Sequence, residues 1–250
     1  MKLTVLGSGS AGNGYLLEGR DSALLVECGV KPEVLMRSTS VQLSRIAGAL
    51  VTHEHKDHAG YLDRYANLGI PVYASAGTLY RSPKPGNGSA RVAVRAMQTF
   101  RVGSFTVSAF DVRHDAAEPL GFVIEHRECG KILFLTDTAF CPYDFRAMHL
   151  QHIMVEADYG EAILERNVAD GLVEPERADR TRRTHLSIRG ACDLIRADQT
   201  ADLVTVVLLH LSGQNADPKE FVRKASETAL FARVYAAKAG LSIDLPKTEI

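Results

Sequence analysis

The 250 residues contain no tryptophan and no apolar run long enough to cross a bilayer as a helix, so a helical membrane protein is not expected. The opening Met1-Lys2-Leu3-Thr4-Val5-Leu6-Gly7 is also too short an apolar stretch for a signal peptide. Charge of one sign is missing too: 29 Lys and Arg stand against 30 Asp and Glu. A broad basic face for long nucleic acid is therefore not expected, although a local basic cleft would fit. Cysteine is scarce and scattered. Cys28, Cys129, Cys141 and Cys192 form no C-x-x-C pair, which argues against a disulfide framework and a thiolate metal site. Reduced thiols in a cytoplasmic protein are the expectation. The glycine-rich stretch Gly7-Ser8-Gly9-Ser10-Ala11-Gly12-Asn13-Gly14 lacks the Gly-Lys-Ser/Thr of a P-loop. The strand-like Tyr15-Leu16-Leu17-Glu18 follows it instead of a helix, which removes a dinucleotide fingerprint. Its predicted job is structural, a hairpin whose small residues let the backbone pass close to a site.

What the chain does have is Thr52-His53-Glu54-His55-Lys56-Asp57-His58, directly after the apolar Gly48-Ala49-Leu50-Val51. Three of the nine histidines fall within six residues. Neutral imidazole nitrogen and carboxylate oxygen are the ligand set of zinc, manganese and iron. The spacing H-x-H-x-D-H suits two neighbouring cations, one taking His53 and His55, the other Asp57 and His58.

Alternating or continuous apolar runs predict strands at 2–6, 15–18, 23–27, 48–52, 71–74, 105–110, 120–125, 131–136, 152–156 and 203–209. Helical spacing is weaker, at 32–38, 57–68, 187–197 and 217–231, the last opened by Asp217-Pro218. Two stretches read as loops: the turn-rich 82–89 and the densely charged 161–183, which would serve as a solvated excursion, a cover for a cleft or a subunit contact. The pattern fits one domain over 1–250 of α/β class, two sheets packed face to face with helices outside.

Other chemistry-bearing residues stand at predicted strand ends: His114 and Asp115 after 105–110, Asp137 after 131–136, Glu156 closing 152–156, and His210 after 203–209. A strand end holds a side chain rigidly at the rim of a sheet. Each alone has an ordinary explanation, but H-x-H-x-D-H leaves two cations short of ligands.

The order H-x-H-x-D-H, a lone His, Thr136-Asp137-Thr138 and a late His after an apolar strand resembles the metallo-β-lactamase fold, from Leu3 to Ser212. Gly7-Ser8-Gly9-Ser10-Ala11-Gly12-Asn13, His114-Asp115-Ala116-Ala117-Glu118-Pro119, His185-Leu186-Ser187 and His210-Leu211-Ser212 are similar to the YycJ (WalJ) branch, itself related to tRNase Z. The resemblance implies a four-layer αββα sandwich of two mixed sheets. It implies two divalent metal ions, zinc or manganese: His53, His55 and His114 on one, Asp57, His58 and His210 on the other, Asp137 bridging. It further implies Asp57, His185 and Glu156 as catalytic residues, His185 protonating the leaving oxygen and Glu156 orienting it. His126, His149 and His152 match nothing in the family.

Asp137 differs from the Cys usual in true β-lactamases, and His55 from the Glu of di-iron flavoproteins. The implied reaction is hydrolysis of nucleotide phosphodiesters by hydroxide held on two metals. The substrate would be nucleic acid, as for a YycJ-like exonuclease, or small cyclic nucleotides, as for the phage anti-Pycsar enzymes that share the fold. A carbon-centred hydrolase of thioesters, lactones or lactams is the alternative. Arg91, Arg95 and Arg101, and Arg180, Arg182 and Arg183, are the candidate phosphate contacts, and a homodimer is possible by the resemblance. Two departures stand out: Glu27 where the family often has Asp, and Thr184 where Gly commonly precedes His-Leu-Ser.

Overall fold

The structure is a computed structural model that describes residues 1–82 and 90–247. Except for Ser82, the turn-rich segment 82–89 lies outside the described residues. The strands form two mixed sheets of seven strands each, flanked by helices. By contact the chain divides into two compact units: 1–111, 116–129 and 238–247 in the first, 112–115 and 130–237 in the second.

In the first unit, β1 (Lys2–Gly7), β2 (Gly14–Glu18) and β3 (Ala23–Val26) make an antiparallel meander. From β3 the sheet continues in parallel through β4 (Ile46–Leu50), β5 (Val72–Ser75) and β6 (Arg91–Val94). β7 (Thr99–Val102), β8 (Phe105–Asp111) and β9 (Leu120–His126) are antiparallel, and β14 (Ser242–Asp244) borders β1. Helices α1 (Pro32–Ser38), α2 (Lys56–Ala59), α3 (Leu62–Asn67) and α4 (Ala76–Arg81) fill the connections. Leu6, Leu25, Leu35, Ala49, Leu62, Tyr65 and Val72 lie in one apolar cluster. The helix predicted over 57–68 is broken because the Tyr61 N–H leaves the helical ladder and donates to the Cys28 carbonyl at 2.9 Å.

In the second unit, β10 (Gly130–Leu135), β11 (His152–Glu156), β12 (Thr205–Leu209) and β13 (Arg233–Ala236) are all parallel. β11 and β12 are buried throughout, which is why they read as unbroken apolar runs rather than alternating ones. Helices α5 (Glu161–Ala169) and α6 (Pro175–Thr184) occupy the charged segment predicted as a loop. That segment is helical because it keeps a small apolar seam, Leu164, Val173 and Ala178 under Tyr159, with Val168 beside it. α7 (Ile188–Asp198) buries Ile188, Ala191, Cys192 and Ile195 on one face, and α8 (Pro218–Thr228) is capped by Asp217, whose carboxylate accepts from Lys219 and Glu220 N–H.

Candidate metal centre and the Glu156–His185 pair

Three apolar strands end in a left-handed residue that is not glycine. Glu27 after β3 has φ +70°, Asp137 after β10 has φ +49°, and His210 after β12 has φ +53°. This conformation costs about 1 kcal/mol or more and persists where the surroundings over-determine it. It stops each strand and turns a carboxylate or imidazole out of the ladder at its carboxyl end, where open parallel sheets bind ligands.

In the first unit the histidine motif is folded tightly. The ring centroids of His53 and His55 lie 4.6 Å apart, and those of His53 and His58 4.3 Å apart. Asp57 Oδ2 is 3.3 Å from His58 Nε2. His53 and His58 are buried, and Asp57 keeps about a quarter of its side chain exposed. Thr52 Oγ1 meets His53 Nδ1 at 2.9 Å, and Glu27 Oε1 stands 3.5 Å from His58 Nδ1 in full burial. A carboxylate behind a ligating imidazole fixes the ring and raises its basicity.

The glycine-rich turn joins antiparallel β1 and β2, and Asn13 within it meets the chain at Asp57 and Gly29. Gly29 admits a backbone crossing: a Cβ there would sit 1.7 Å from the Asp57 carbonyl oxygen. Asn13 exploits it, its N–H donating to that carbonyl at 2.7 Å and its amide reaching His58 Nε2 at 3.1 Å. Sequence reasoning missed Asn13. Its signal was an amide between two glycines in a turn with no phosphate motif.

In the second unit His114 donates from Nδ1 to the Thr184 carbonyl at 2.9 Å, since a carbonyl can only accept. Nδ1 therefore carries a proton, and Nε2 faces Asp115 Oδ1 at 3.3 Å and Asp137 Oδ2 at 3.6 Å. His210 Nε2 lies 3.9 Å from the other oxygen, Oδ1, so the Asp137 carboxylate stands between two imidazoles. Asp137 Oδ1 also accepts from Thr136 Oγ1 at 2.7 Å. Asp158, another residue sequence reasoning missed, approaches His210 Nδ1 at 3.6 Å. Its signal was a second acid two residues beyond the end of β11.

Glu156 is fully buried and fully engaged. Oε1 accepts from His185 Nδ1 at 2.6 Å, while Oε2 accepts from the N–H groups of Leu186 at 3.0 Å and Thr138 at 3.1 Å. Burial pushes the Glu156 carboxyl up, with His185 opposing. For His185, burial acts downward, but the Glu156 charge and hydrogen bond overcome it and raise the imidazole to about 9 in the metal-free protein. His185 caps the end of α6, and its ring stacks on His210 at 5.5 Å. Donor atoms of Asp137, Glu156, His185 and His210 all lie within 4.8 Å of one another.

Of the other candidates, Arg95 and Arg101 are exposed, Arg101 on β7. His126 meets Ser104 at 2.9 Å, His149 pairs with Asp202 at 2.7 Å, and His152 is buried in β11, all consistent with structural use. Arg91 is nearly buried, paired with Asp63 and bonded to the Leu79 carbonyl, which removes it as a phosphate contact. Arg180 pairs with Asp115 at 2.8 Å and Arg182 with Asp179 at 2.8 Å, while Arg183, like them, is exposed on α6. Burial pushes the Cys129 thiol up to about 12, so it is inert. Among the described residues no helix is long and apolar enough to cross a membrane.

A domain model described as the Beta-lactamase superfamily domain matches residues 24–210, and the chain belongs to that family. The fold agrees: the metallo-β-lactamase fold protein YhfI from Bacillus subtilis superposes with a TM-score of 0.74 at 18% identity, covering 97% of this chain and 99% of that one. Among curated relatives, the exodeoxyribonuclease YycJ of Bacillus anthracis is 34% identical over 149 residues, 56% of this chain and 55% of its own length. The anti-Pycsar protein Apyc1 of Saccharibacillus brassicae is 31% identical over 71 residues, 26% of this chain and 29% of its own. The chain thus spans about half the length, or less, of these two relatives. Its clustered imidazoles and carboxylates are compatible with a divalent metal.

Proposed function

We propose that this chain is a metal-dependent phosphodiesterase that hydrolyses nucleotide phosphodiester bonds. The donor set fits divalent cations: imidazoles of His53, His58 and His114 oriented through one ring nitrogen by Thr52, Glu27 and Thr184, and carboxylates beside them. In this reading His53, His55 and His114 hold one cation, Asp57, His58 and His210 a second, and Asp137 contributes to both. The bound cations would supply Lewis acidity towards the phosphoryl oxygens and acidify a water.

The observation that carries the reading is the Glu156–His185 pair, 2.6 Å apart. Breaking a phosphodiester needs a proton for the leaving oxygen. With Nδ1 committed to Glu156, His185 presents Nε2 for that proton. Glu156 fixes the tautomer and stabilises the imidazolium, and its two backbone donors keep it from swinging away. In this reading Asp57, part-exposed beside His58, is the third catalytic residue, its carboxylate open to a reacting group. DNA is the first substrate to test, because the exodeoxyribonuclease likeness covers 56% of the chain against 26% for the anti-Pycsar likeness.

The test loads the protein with Mn²⁺ or Zn²⁺ and supplies end-labelled duplex DNA and, in parallel, a panel of 3′,5′-cyclic nucleotides. Cleavage of either supports the reading and assigns the substrate. His185→Ala is expected to lower kcat about 10²- to 10⁴-fold while metal content stays the same. Silence on both panels with turnover of a thioester or lactone overturns it.

A further inference from the structure

Beside the Glu156–His185 pair, within the second unit, lies a cavity of about 300 Å³ that the chemistry above does not use. One wall is the segment after Asp137, with Ala139, Phe140 and Tyr143; another is Leu186, next to His185; the floor is Leu194 and Ala197 of α7. Both walls start at the same carboxylate. Glu156 Oε2 accepts from the N–H groups of Thr138 and Leu186, while Oε1 holds His185. The cavity is thus locked to the proton donor through one side chain. The far end of the wall is tied down as well, since Phe145 N–H donates to the buried Asp198 at 2.8 Å.

Its lining says what it takes. No Lys or Arg borders it, so it is not a phosphate pocket. Aliphatic carbon forms the floor, and two aromatic rings border the cavity. Phe140 is 56% exposed, so its ring is open to a flat ligand group. Asp193 also lines it, with its carboxylate held by the Arg196 guanidinium at 2.6 Å. The volume sits at the lower end of ligand pockets, enough for one flat group rather than a dinucleotide. Gly190 lets Leu186 pack closely on α7, since a Cβ there would meet Leu186 Cδ1 at 2.6 Å.

We propose that this cavity is a nucleobase subsite that sets substrate choice by stacking the base of the nucleotide at the scissile bond. The proposal rests on the phosphodiesterase reading and deepens it. Base–aromatic stacking tolerates any base, so it would favour nucleotides over base-free diesters without selecting a sequence.

The experiment compares Mn²⁺-loaded wild type, Phe140→Ala and Ala197→Trp on two diesters with the same leaving group, thymidine 5′-(p-nitrophenyl phosphate) and methyl p-nitrophenyl phosphate. Metal-free protein is titrated with adenosine by calorimetry alongside. In each variant the ratio of kcat/KM, nucleoside diester over methyl diester, is expected to fall about tenfold or more, and adenosine binding to weaken by a similar factor. An unchanged ratio together with unchanged adenosine binding overturns the subsite. If neither diester is cleaved by any form but adenosine binds wild type and not Ala197→Trp, the phosphodiesterase reading falls and the base site stands. Both substitutions are at exposed positions, and melting curves identify a variant that fails to fold.

Discussion

Gly29→Ala is expected to loosen the histidine motif from a distance in sequence. The new Cβ would lie 1.7 Å from the Asp57 carbonyl oxygen and 2.7 Å from Asn13 N, both backbone atoms. Ordinary contact begins at 3.4 Å, so the strands of this crossing must part by a difference of 1.7 Å. No side-chain rotation relieves that. Three backbone bonds hold the crossing shut: Asn13 N–H to Asp57, Gly29 N–H to Asn13 and Cys28 N–H to His58, at 2.7, 2.9 and 2.7 Å. Losing one or two, at about 1 kcal/mol each, with overpacking strain of about 1–3 kcal/mol, gives a loss of about 3 kcal/mol. For a chain of this size that lowers Tm by about 6–12 °C. Because Asp57 and His58 move with the crossing, Zn²⁺ affinity should fall too. The assay is thermal melting of the metal-free protein plus a Zn²⁺ titration, with Gly213→Ala, where a Cβ meets nothing within 4 Å, as the neutral control. A Gly29→Ala protein that melts within about 2 °C of wild type and binds zinc as tightly refutes the reasoning, since ~0.5 kcal/mol is the size of an ordinary surface change.

Glu27→Gln keeps the shape beside His58 but removes the charge 3.5 Å from its Nδ1; competition with a chromophoric chelator should show zinc affinity about 10- to 100-fold weaker, with the fold intact by circular dichroism. His185 supplies a pH signature in chelator-treated protein. Its folded pKa of about 9 exceeds the ordinary 6.5, so its contribution is complete below pH 6.5, declines from there and is gone above 9. The stability gap between wild type and His185→Asn should therefore narrow from pH 6.5 to 9; a gap that is flat or widens there removes the Glu156–His185 charge pair.

The candidate site was more legible in the sequence than its scaffolding. His53, Asp137, Glu156 and His210 announced themselves because each follows a run of apolar residues that could only be a buried strand. Other features are set by tertiary context. α5 and α6 hide because a seam of Leu164, Val168, Val173 and Ala178 is too thin to stand out among so many charges. β13 and β14 are short and part-exposed, so no buried face imprints a period of two. Asn13 and Asp158 act through contacts 45 and 52 residues away, which no local pattern encodes. Thr184, a departure from the family pattern, turns out to serve through its backbone carbonyl on His114, a role open to any residue type.

The left-handed backbone at Glu27, Asp137 and His210 puts stability and activity in direct competition at three defined positions. Glycine adopts that conformation without the steric cost, so replacing any of the three would relax the chain locally while deleting a side chain from the site. A library of this protein selected only for heat resistance should therefore drift towards glycine at the ends of β3, β10 and β12, and lose Zn²⁺ affinity as it does so. The same three positions are where a designer who wants a robust but inert version of this scaffold should begin.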